Sequence, residues 1–120
     1  MVQSSGTNPY VQLSASLVRV LSRLRDLHPD ATITQAMCLF LIAGRPGIAQ
    51  RDLYRLMDAT DSAASRIVAM LSDIGSRNTP GLDLVSMEVN PQDRREKHLA
   101  LTHKGRRLMD DILTDLKRLS

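Results

Sequence analysis

Apolar residues recur at helical spacing near the start of the chain. Positions 10, 13, 17, 20, 24 and 27 are apolar, and their gaps of three and four residues are typical of a helix that packs along one seam. Pro29 cannot continue such a helix, so the pattern predicts a helix over residues 10–27. Residues 1–9 are small and polar and end in proline, which predicts a flexible arm.

Two further helices are predicted on either side of a glycine-rich break. Residues 37–43 are apolar on nearly every side, which indicates a helix buried at the centre of the domain. Thr34 is placed to cap the start of that helix, and GRPG at 44–47 ends it. Ile48 is compatible with a very short strand, and residues 50–57 predict a third helix. The inward face of the third helix is predicted to hold Leu53, Leu56 and Met57.

A fourth helix, over residues 61–74, has an apolar face and a slim polar face. Thr60 is placed to cap it, and Asp61 lies in the first turn, where a carboxylate interacts favourably with the helix dipole. Its predicted inward residues are Ala64, Ile67, Val68, Leu71 and Ile74. The opposite face carries Ser62, Ser65, Arg66, Ala69 and Asp73. Small and polar side chains of this kind allow another macromolecule to approach closely.

The remaining pattern predicts a β-hairpin followed by a last helix. Residues 82–89 alternate between apolar and polar, residues 98–101 return, and NPQDRREK at 90–97 forms a charged tip between them. Thr102 is placed to cap a helix over residues 103–119. The inward hairpin positions are predicted to be Val85, Met87, Val89, Leu99 and Leu101.

The composition fits one domain with an aliphatic core. The chain has 120 residues, of which 42% are hydrophobic and 24% charged, with one Phe, two Tyr and no Trp. Such a scarcity of aromatic rings argues against single-stranded nucleic-acid binding, which relies on base stacking. Thirteen Arg against three Lys suit phosphate and guanine recognition, or a genome rich in G and C, and do not decide between them. Without a signal pattern or an 18-residue apolar run, a cytoplasmic protein with no membrane segment is expected.

The sequence contains no catalytic or metal-binding pattern. His28, His98 and His103 lack metal-ligand spacing, and the GRPG segment lacks the Lys and Ser or Thr of a phosphate-binding loop. Cys38 is the only cysteine and lies in an apolar run, which predicts a buried, inert thiol. We therefore expect neither an enzyme nor a cofactor.

Two short helices joined by a tight turn, followed by a hairpin with a charged tip, describe a winged helix-turn-helix. The predicted element order is α-α-(β)-α-α-β-β-α, a mainly α fold with a small β-hairpin wing. Residues 10–120 would form a single domain, with 34–101 as its DNA-binding core. Helix 61–74 would enter the major groove, and the wing, residues 90–98, would lie on the adjacent minor groove or backbone.

The sequence also resembles the MarR-type winged-helix transcription regulators over about residues 33–105. The wing sequence DRREKHLALTHKG is similar to the family pattern D-x-R, a short strand and L-T-x-x-G. The segments QRDLYRLM and TDSAASRIVAML are similar to the family's helix-turn-helix pair. The chain departs from the family pattern at Asp58, at Asp61 and at His98, where Gly, a basic residue and an apolar residue are usual.

This resemblance implies a homodimeric DNA-binding regulator, a repressor, and leaves open whether a small-molecule effector acts on it. DNA contacts would come from Ser62, Ser65 and Arg66 of the fourth helix and from Arg94, Arg95 and Lys97 of the wing, with Asp93 positioning Arg95. The terminal helices, 10–27 and 103–119, would pair the two subunits. Their predicted interface residues are Leu13, Leu17, Val20, Leu24, Ile112 and Leu116.

A winged helix that binds a protein partner instead of DNA is the alternative from another functional class. The low net charge of +3 and the acidic residues Asp61, Asp73, Asp110 and Asp111 favour it. Each proposed contact also has an ordinary interpretation: Asp93 and Arg95 as a surface ion pair, and Arg66 as a solvated helix residue. Salt separates the two functions, because duplex binding releases counterions and weakens steeply with salt.

Overall fold

The computed structural model describes residues 8–117 and 119, and within that range it contains five helices and three strands. The helices are α1 (Tyr10–Leu27), α2 (Ile33–Gly44), α3 (Gln50–Met57), α4 (Asp61–Leu71) and α5 (His103–Lys117). The strands are β1 (Ile48–Ala49), β2 (Val85–Asn90) and β3 (Asp93–Leu101), and they form an antiparallel sheet in the order β1-β3-β2. The predicted element order and the mainly α fold with a hairpin wing are confirmed. The predicted arm lies outside the described residues, apart from positions 8 and 9.

Thr32, and not Thr34, caps the N-terminus of α2. The Thr32 hydroxyl accepts a hydrogen bond from the backbone N–H of Gln35 at 3.1 Å, and the Gln35 side chain accepts one from the Thr32 N–H at 3.1 Å. Such a reciprocal capping box satisfies two helix N–H groups at once, and Thr34 has no Gln or Glu three residues further on with which to build one. Thr60 and Thr102 do cap α4 and α5 through their hydroxyls, as predicted.

The core lies between α2, α3, α4 and the sheet. Burial of aliphatic side chains from all these elements supplies the main driving force for folding. The core packing also fixes the orientation of α4, since its buried side turns the polar side to solvent. The most deeply buried core side chains are Cys38, Leu39, Ile42, Leu53, Ala64, Val68, Leu84, Val85 and Leu99.

Three residues predicted to face inward are exposed instead. Leu56 is exposed because Leu53 and Met57, four residues apart on the short helix α3, form its buried side. α4 ends at Leu71, not at residue 74, and the chain leaves helical geometry at Ser72, so Ile74 no longer follows the helical period. Val89 lies next to a break in strand register near the tip of the hairpin, beyond the core.

The charged block of the wing lies within a strand and not in the turn. β3 begins at Asp93, five residues before the predicted start, and only residues 91–92 remain between the two strands. The register shifts between Val89 and Asn90, which leaves residues 94–96 in a bulged segment of β3. The prediction was wrong here because it followed the alternation of apolar residues, which a strand built from charged residues does not show.

The sequence LTHKG joins the wing to α5 through close backbone contacts. The Thr102 hydroxyl donates to the carbonyl of Asp83 at 2.7 Å, while its backbone N–H donates to the carbonyl of Leu84 at 2.9 Å. A Cβ at Gly105 would collide with the Leu84 carbonyl, so α5 can approach the start of β2 only because this position is glycine. The motif therefore fixes the hairpin to the last helix.

An ion pair between a partly exposed arginine and a buried carboxylate joins α1 to α5. Arg23 donates from Nε to one carboxylate oxygen of Asp115 at 2.6 Å and from Nη2 to the other at 3.1 Å. Only 2% of Asp115 is exposed, so this is a bidentate pair at a buried carboxylate. The hydrogen bond with Asp115 raises the pKa of the Arg23 guanidinium above its usual value. Neither residue stood out in the sequence.

Cys38 lies in the core among apolar side chains. Burial raises the pKa of its thiol to about 12, so the thiol stays protonated at neutral pH. This agrees with the expected inert cysteine. Among the described helices, none is long and apolar enough to cross a membrane.

Candidate nucleic-acid interface

A groove of about 900 Å³ lies between α3, the α3–α4 turn and the wing. It brings together three predicted site residues, Asp93, Arg95 and Lys97, with residues of β1, α3, the α3–α4 turn and the start of α4. No group of three or more potential His, Cys, Asp or Glu metal ligands occurs in the described part of the chain. The groove is lined by four cationic residues, Arg51, Arg55, Arg95 and Lys97, and by four acidic residues, Asp58, Asp61, Asp93 and Glu96.

Arg51 and Arg55 are functional candidates that the sequence analysis missed. They lie one helical turn apart on α3, and their side chains are 73% and 78% exposed. Residues at i and i+4 project from the same side of a helix, so both cations border the groove. A signal was available in QRDLYRLM, because Leu53 and Met57 take the buried side and leave the two arginines on the other.

Asp93 binds the backbone N–H of Arg95 and leaves most of the Arg95 side chain exposed to solvent. The Asp93 carboxylate accepts a hydrogen bond from the Arg95 backbone N–H at 3.1 Å and lies 3.4 Å from its Nε. The Arg95 side chain is nevertheless 93% exposed. An exposed ion pair of this kind adds little to stability, so its main physical effect is on the direction in which Arg95 points. Lys97 is also exposed, whereas the Arg94 side chain lies outside the described residues.

α4 presents its predicted polar side to solvent. Ser62, Ser65 and Arg66 are exposed, while Ala64 and Val68 on the opposite side are buried. No hydrogen bond or ion pair within the described chain engages the Arg66 guanidinium. These three exposed residues do not line the groove, so the predicted contacts fall on two surfaces, the α4 face and the wing groove.

The turn between α3 and α4 is set by Asp58. This residue has left-handed backbone angles, φ 53° and ψ 44°, which few residues other than glycine adopt readily. Aspartate is one of those few, and it stands where the resembled family usually has glycine. The geometry ends α3 sharply and allows Thr60 to start α4 two residues later.

The predicted dimer residues do not all lie on the surface. Val20 and Ile112 are 5% and 4% exposed, because α1 packs on α5 within the chain. In this structure they stabilise the helix pair within the chain, and their part in a dimer interface stays a prediction. Leu24 and Leu116 are half-buried, and Leu13 and Leu17 are exposed. The exposed apolar surface of α1 consists of Tyr10, Val11, Leu13, Leu17, Val18 and Leu21.

Comparison with known proteins gives a match in structure but not in sequence. No protein-family model and no curated protein matches the chain. MarR is 25% identical, with 89% of this chain and 77% of that chain covered at a TM-score of 0.59. MepR of S. aureus, solved as a DNA complex, is 19% identical, with coverage of 92% and 83% and a TM-score of 0.69.

A third structure is the PcaV transcriptional regulator from Streptomyces coelicolor, in complex with its natural ligand. It is 20% identical, with 99% of this chain and 79% of that chain covered at a TM-score of 0.58. These similarities confirm the predicted winged-helix fold. They also agree with the expectation of a regulator and not an enzyme.

Proposed function

We propose that this chain, which has the fold of the MarR-type winged-helix regulators, is a sequence-specific double-stranded DNA-binding repressor that acts as a homodimer. The observation that carries the proposal is the pair of exposed surfaces on one scaffold. The Ser62, Ser65 and Arg66 face of α4 suits the major groove, and Arg95, held outward by Asp93, suits the adjacent minor groove or backbone. The MepR structure, solved with DNA, supports this assignment by its fold.

The two surfaces would divide recognition between them. Arg66 is the only cation of α4 and can contact guanine O6 and N7 together, which is a base-specific contact. Ser62 and Ser65 can reach phosphates or either base type. They would position the helix on the duplex more than they would select its sequence. The groove cations Arg51 and Arg55 would contact the phosphate backbone, which adds affinity without sequence information. A small-molecule effector is compatible with the fold, since PcaV was solved with a ligand.

Selection from random duplexes at physiological salt tests this function directly. The expected product is a palindrome whose half-sites lie about one helical turn apart, because a two-fold dimer presents two α4 helices. The logarithm of affinity should fall steeply with the logarithm of salt concentration, since several phosphates are neutralised. No enrichment together with a flat salt dependence would contradict DNA binding.

A protein-binding winged helix remains the second candidate because of one observation, the balanced charge of the groove. Its four cations face four acidic residues, so its attraction for a polyanion is weaker than that of a purely basic groove. The acidic residues Asp93 and Glu96 are, however, engaged by Arg95 and Arg51. A partner captured equally well at low and high salt, with no duplex enriched, would favour this alternative.

The first prediction concerns assembly through the exposed apolar surface of α1. Substitution Leu17→Glu should convert the homodimer to a monomer, because Leu17 is 42% exposed within that surface and a buried carboxylate is costly. The matched control is Met37→Glu, on α2, where the methionine is 50% exposed. Sedimentation velocity at about 50 µM measures the change, and a wild-type chain that sediments as a monomer there would refute the dimer.

The second prediction concerns the wing. Arg95→Ala should weaken binding to all duplexes and reduce the salt slope by about one unit for each wing that contacts DNA. Asp93→Ala should also weaken binding, although it removes a negative charge, because Arg95 loses its backbone hydrogen bond to Asp93. Arg25→Ala, an exposed cation on α1, is the control and should leave the slope unchanged. Stronger binding by Asp93→Ala would show that this carboxylate only repels phosphate.

A further inference from the structure

The ring of His98 lies between two hydrogen-bond acceptors at the root of the wing. Its Nδ1 is 2.8 Å from the carbonyl oxygen of Gly47, and its Nε2 is 3.3 Å from a carboxylate oxygen of Glu96. A neutral imidazole carries one N–H, so it can donate to only one of these oxygens and places a lone pair against the other. The protonated ring donates to both. The geometry around His98 is therefore complete only in the charged form.

Glu96 connects this histidine to two further elements. Its second carboxylate oxygen accepts a hydrogen bond from the Asn90 side chain at 3.1 Å, at the end of β2. Arg51 of α3 lies 3.9 Å from the oxygen that faces His98. The Asn90 side chain in turn accepts from the backbone N–H of Gln92 in the turn. One carboxylate thus links the turn of the wing, both of its strands and the helix-turn-helix.

The same carboxylate controls the residue beside it. Glu96 lies in the bulged segment 94–96 and is directed towards the protein, with its side chain 24% exposed. The neighbouring Arg95 side chain is 93% exposed, so the two side chains of this segment point in different directions, one to the protein and one to solvent. Anchoring Glu96 therefore holds Arg95 outward. His98 extends the anchor to Gly47, whose N–H donates to the carbonyl of Leu99 at 2.9 Å.

Charges of both signs surround His98. Glu88 on β2 is its direct partner in the sheet, and Glu96 faces the ring from β3 itself. Arg51 of α3 reaches the site through Glu96, and Arg45 lies in the connection that contains Gly47. The strand β1 contributes no charge, since its residue opposite His98 is alanine. The hydrogen-bond geometry, more than the net charge, distinguishes the two forms of the ring.

We propose that Glu96 and His98 are positioning residues of the wing, and that protonation of His98 locks Arg95 in its DNA-facing direction. The proposal rests on the proposed function. Protonation supplies the second N–H that the ring needs to donate to both oxygens, so lowering the pH favours the locked arrangement. A wing that is already held in place loses less conformational freedom on binding, and affinity for a duplex should then rise at lower pH.

The binding test compares one mixed-sequence duplex at pH 8.0 and pH 6.0 with the ionic strength held constant. Wild-type affinity should increase about threefold to tenfold on going to pH 6.0, the effect of about one charge-assisted contact. His98→Gln should remove this increase, and Glu96→Gln, which keeps the shape but not the charge, should reduce it. The control variants His103→Gln and His28→Gln each replace a histidine outside the wing. Both should keep the wild-type dependence of affinity on pH. Equal pH dependence in wild type and His98→Gln would overturn the proposal.

A second measurement needs no DNA, so failure of the lock and failure of the proposed function can be told apart. In an NMR titration of the free protein, the backbone amides of Glu96 and Lys97 should shift with the same midpoint as the His98 ring. In His98→Gln that shared transition should disappear. If no duplex binds at any pH but the shared titration is present, the lock stands and DNA binding fails. Wing amides that do not respond to His98 overturn the lock.

Discussion

Arg23→Met is expected to lower the melting temperature of the chain by about 5–10 °C. The substitution removes two hydrogen bonds to the carboxylate of Asp115, a residue that is 2% exposed. Removing a charged partner from a buried carboxylate lowers the stability of the folded protein more than removing one from an exposed carboxylate, because water solvates the buried group less well. Thermal denaturation followed by circular dichroism measures the shift.

Two controls identify the cause of that loss. Arg25→Met changes an arginine on the same helix whose side chain is 71% exposed, and it should move the melting temperature by no more than about 2 °C. The double variant Arg23→Met with Asp115→Leu should recover much of the stability, since apolar pairs often replace buried ion pairs without loss. Equal, small shifts for Arg23→Met and Arg25→Met would show that the Arg23–Asp115 pair contributes nothing.

This ion pair has consequences beyond stability. Within α1, Ser16 and Val20 are buried, and Leu24 and Leu27 are partly buried against the core. The exposed apolar surface of α1 is the proposed dimer interface, and Arg23 helps to set its orientation by binding α5. The oxygen of Ser16 is buried and has no hydrogen-bond partner among the described residues, so it adds nothing polar to the helix contact.

The parts of the fold that local chemistry decides were predictable from the sequence. The bounds of α1 and α3 agree with the prediction. Pro29 ends the apolar pattern of α1, and the glycine-rich break at 44–47 precedes α3. Prediction failed where the packing and pairing of elements, and not the local apolar pattern, decided the structure. Ile74 is apolar and correctly spaced, yet the helix has ended before it. The charged start of β3 at Asp93 is held in the sheet by pairing with β2, which no apolar alternation reveals.

The candidate site was predictable in its exposed single residues but not in its connections. The α4 face followed from helical period, and the Asp93–Arg95 contact spans only two positions of the chain. The contact between Arg23 and Asp115 spans 92 positions, and that between Gly47 and His98 spans 51. Contacts at these separations depend on how elements pack, and a single sequence carries no periodic signal for them.

Arg66→Ala is expected to relax the sequence preference at one base pair in each half-site. Ala64, Val68 and Leu71 bury one side of α4, so Arg66 is presented on the opposite side, where it is exposed. A bidentate contact from arginine to guanine O6 and N7 contributes about 1–3 kcal/mol of discrimination against other bases. Removing it should therefore lower specific affinity by about tenfold to a hundredfold, while non-specific binding falls only slightly.

The matched control is Ser65→Ala, on the same exposed face of α4. Because serine contacts phosphates or either base type, this variant should weaken binding without changing the preferred base. Arg66→Lys keeps the charge but cannot form the planar two-point contact, so it should resemble Arg66→Ala in specificity and wild type in salt dependence. Site selection followed by affinity measurement on the selected duplex distinguishes these outcomes. The same preferred site for wild type and Arg66→Ala would show that α4 does not read bases through Arg66.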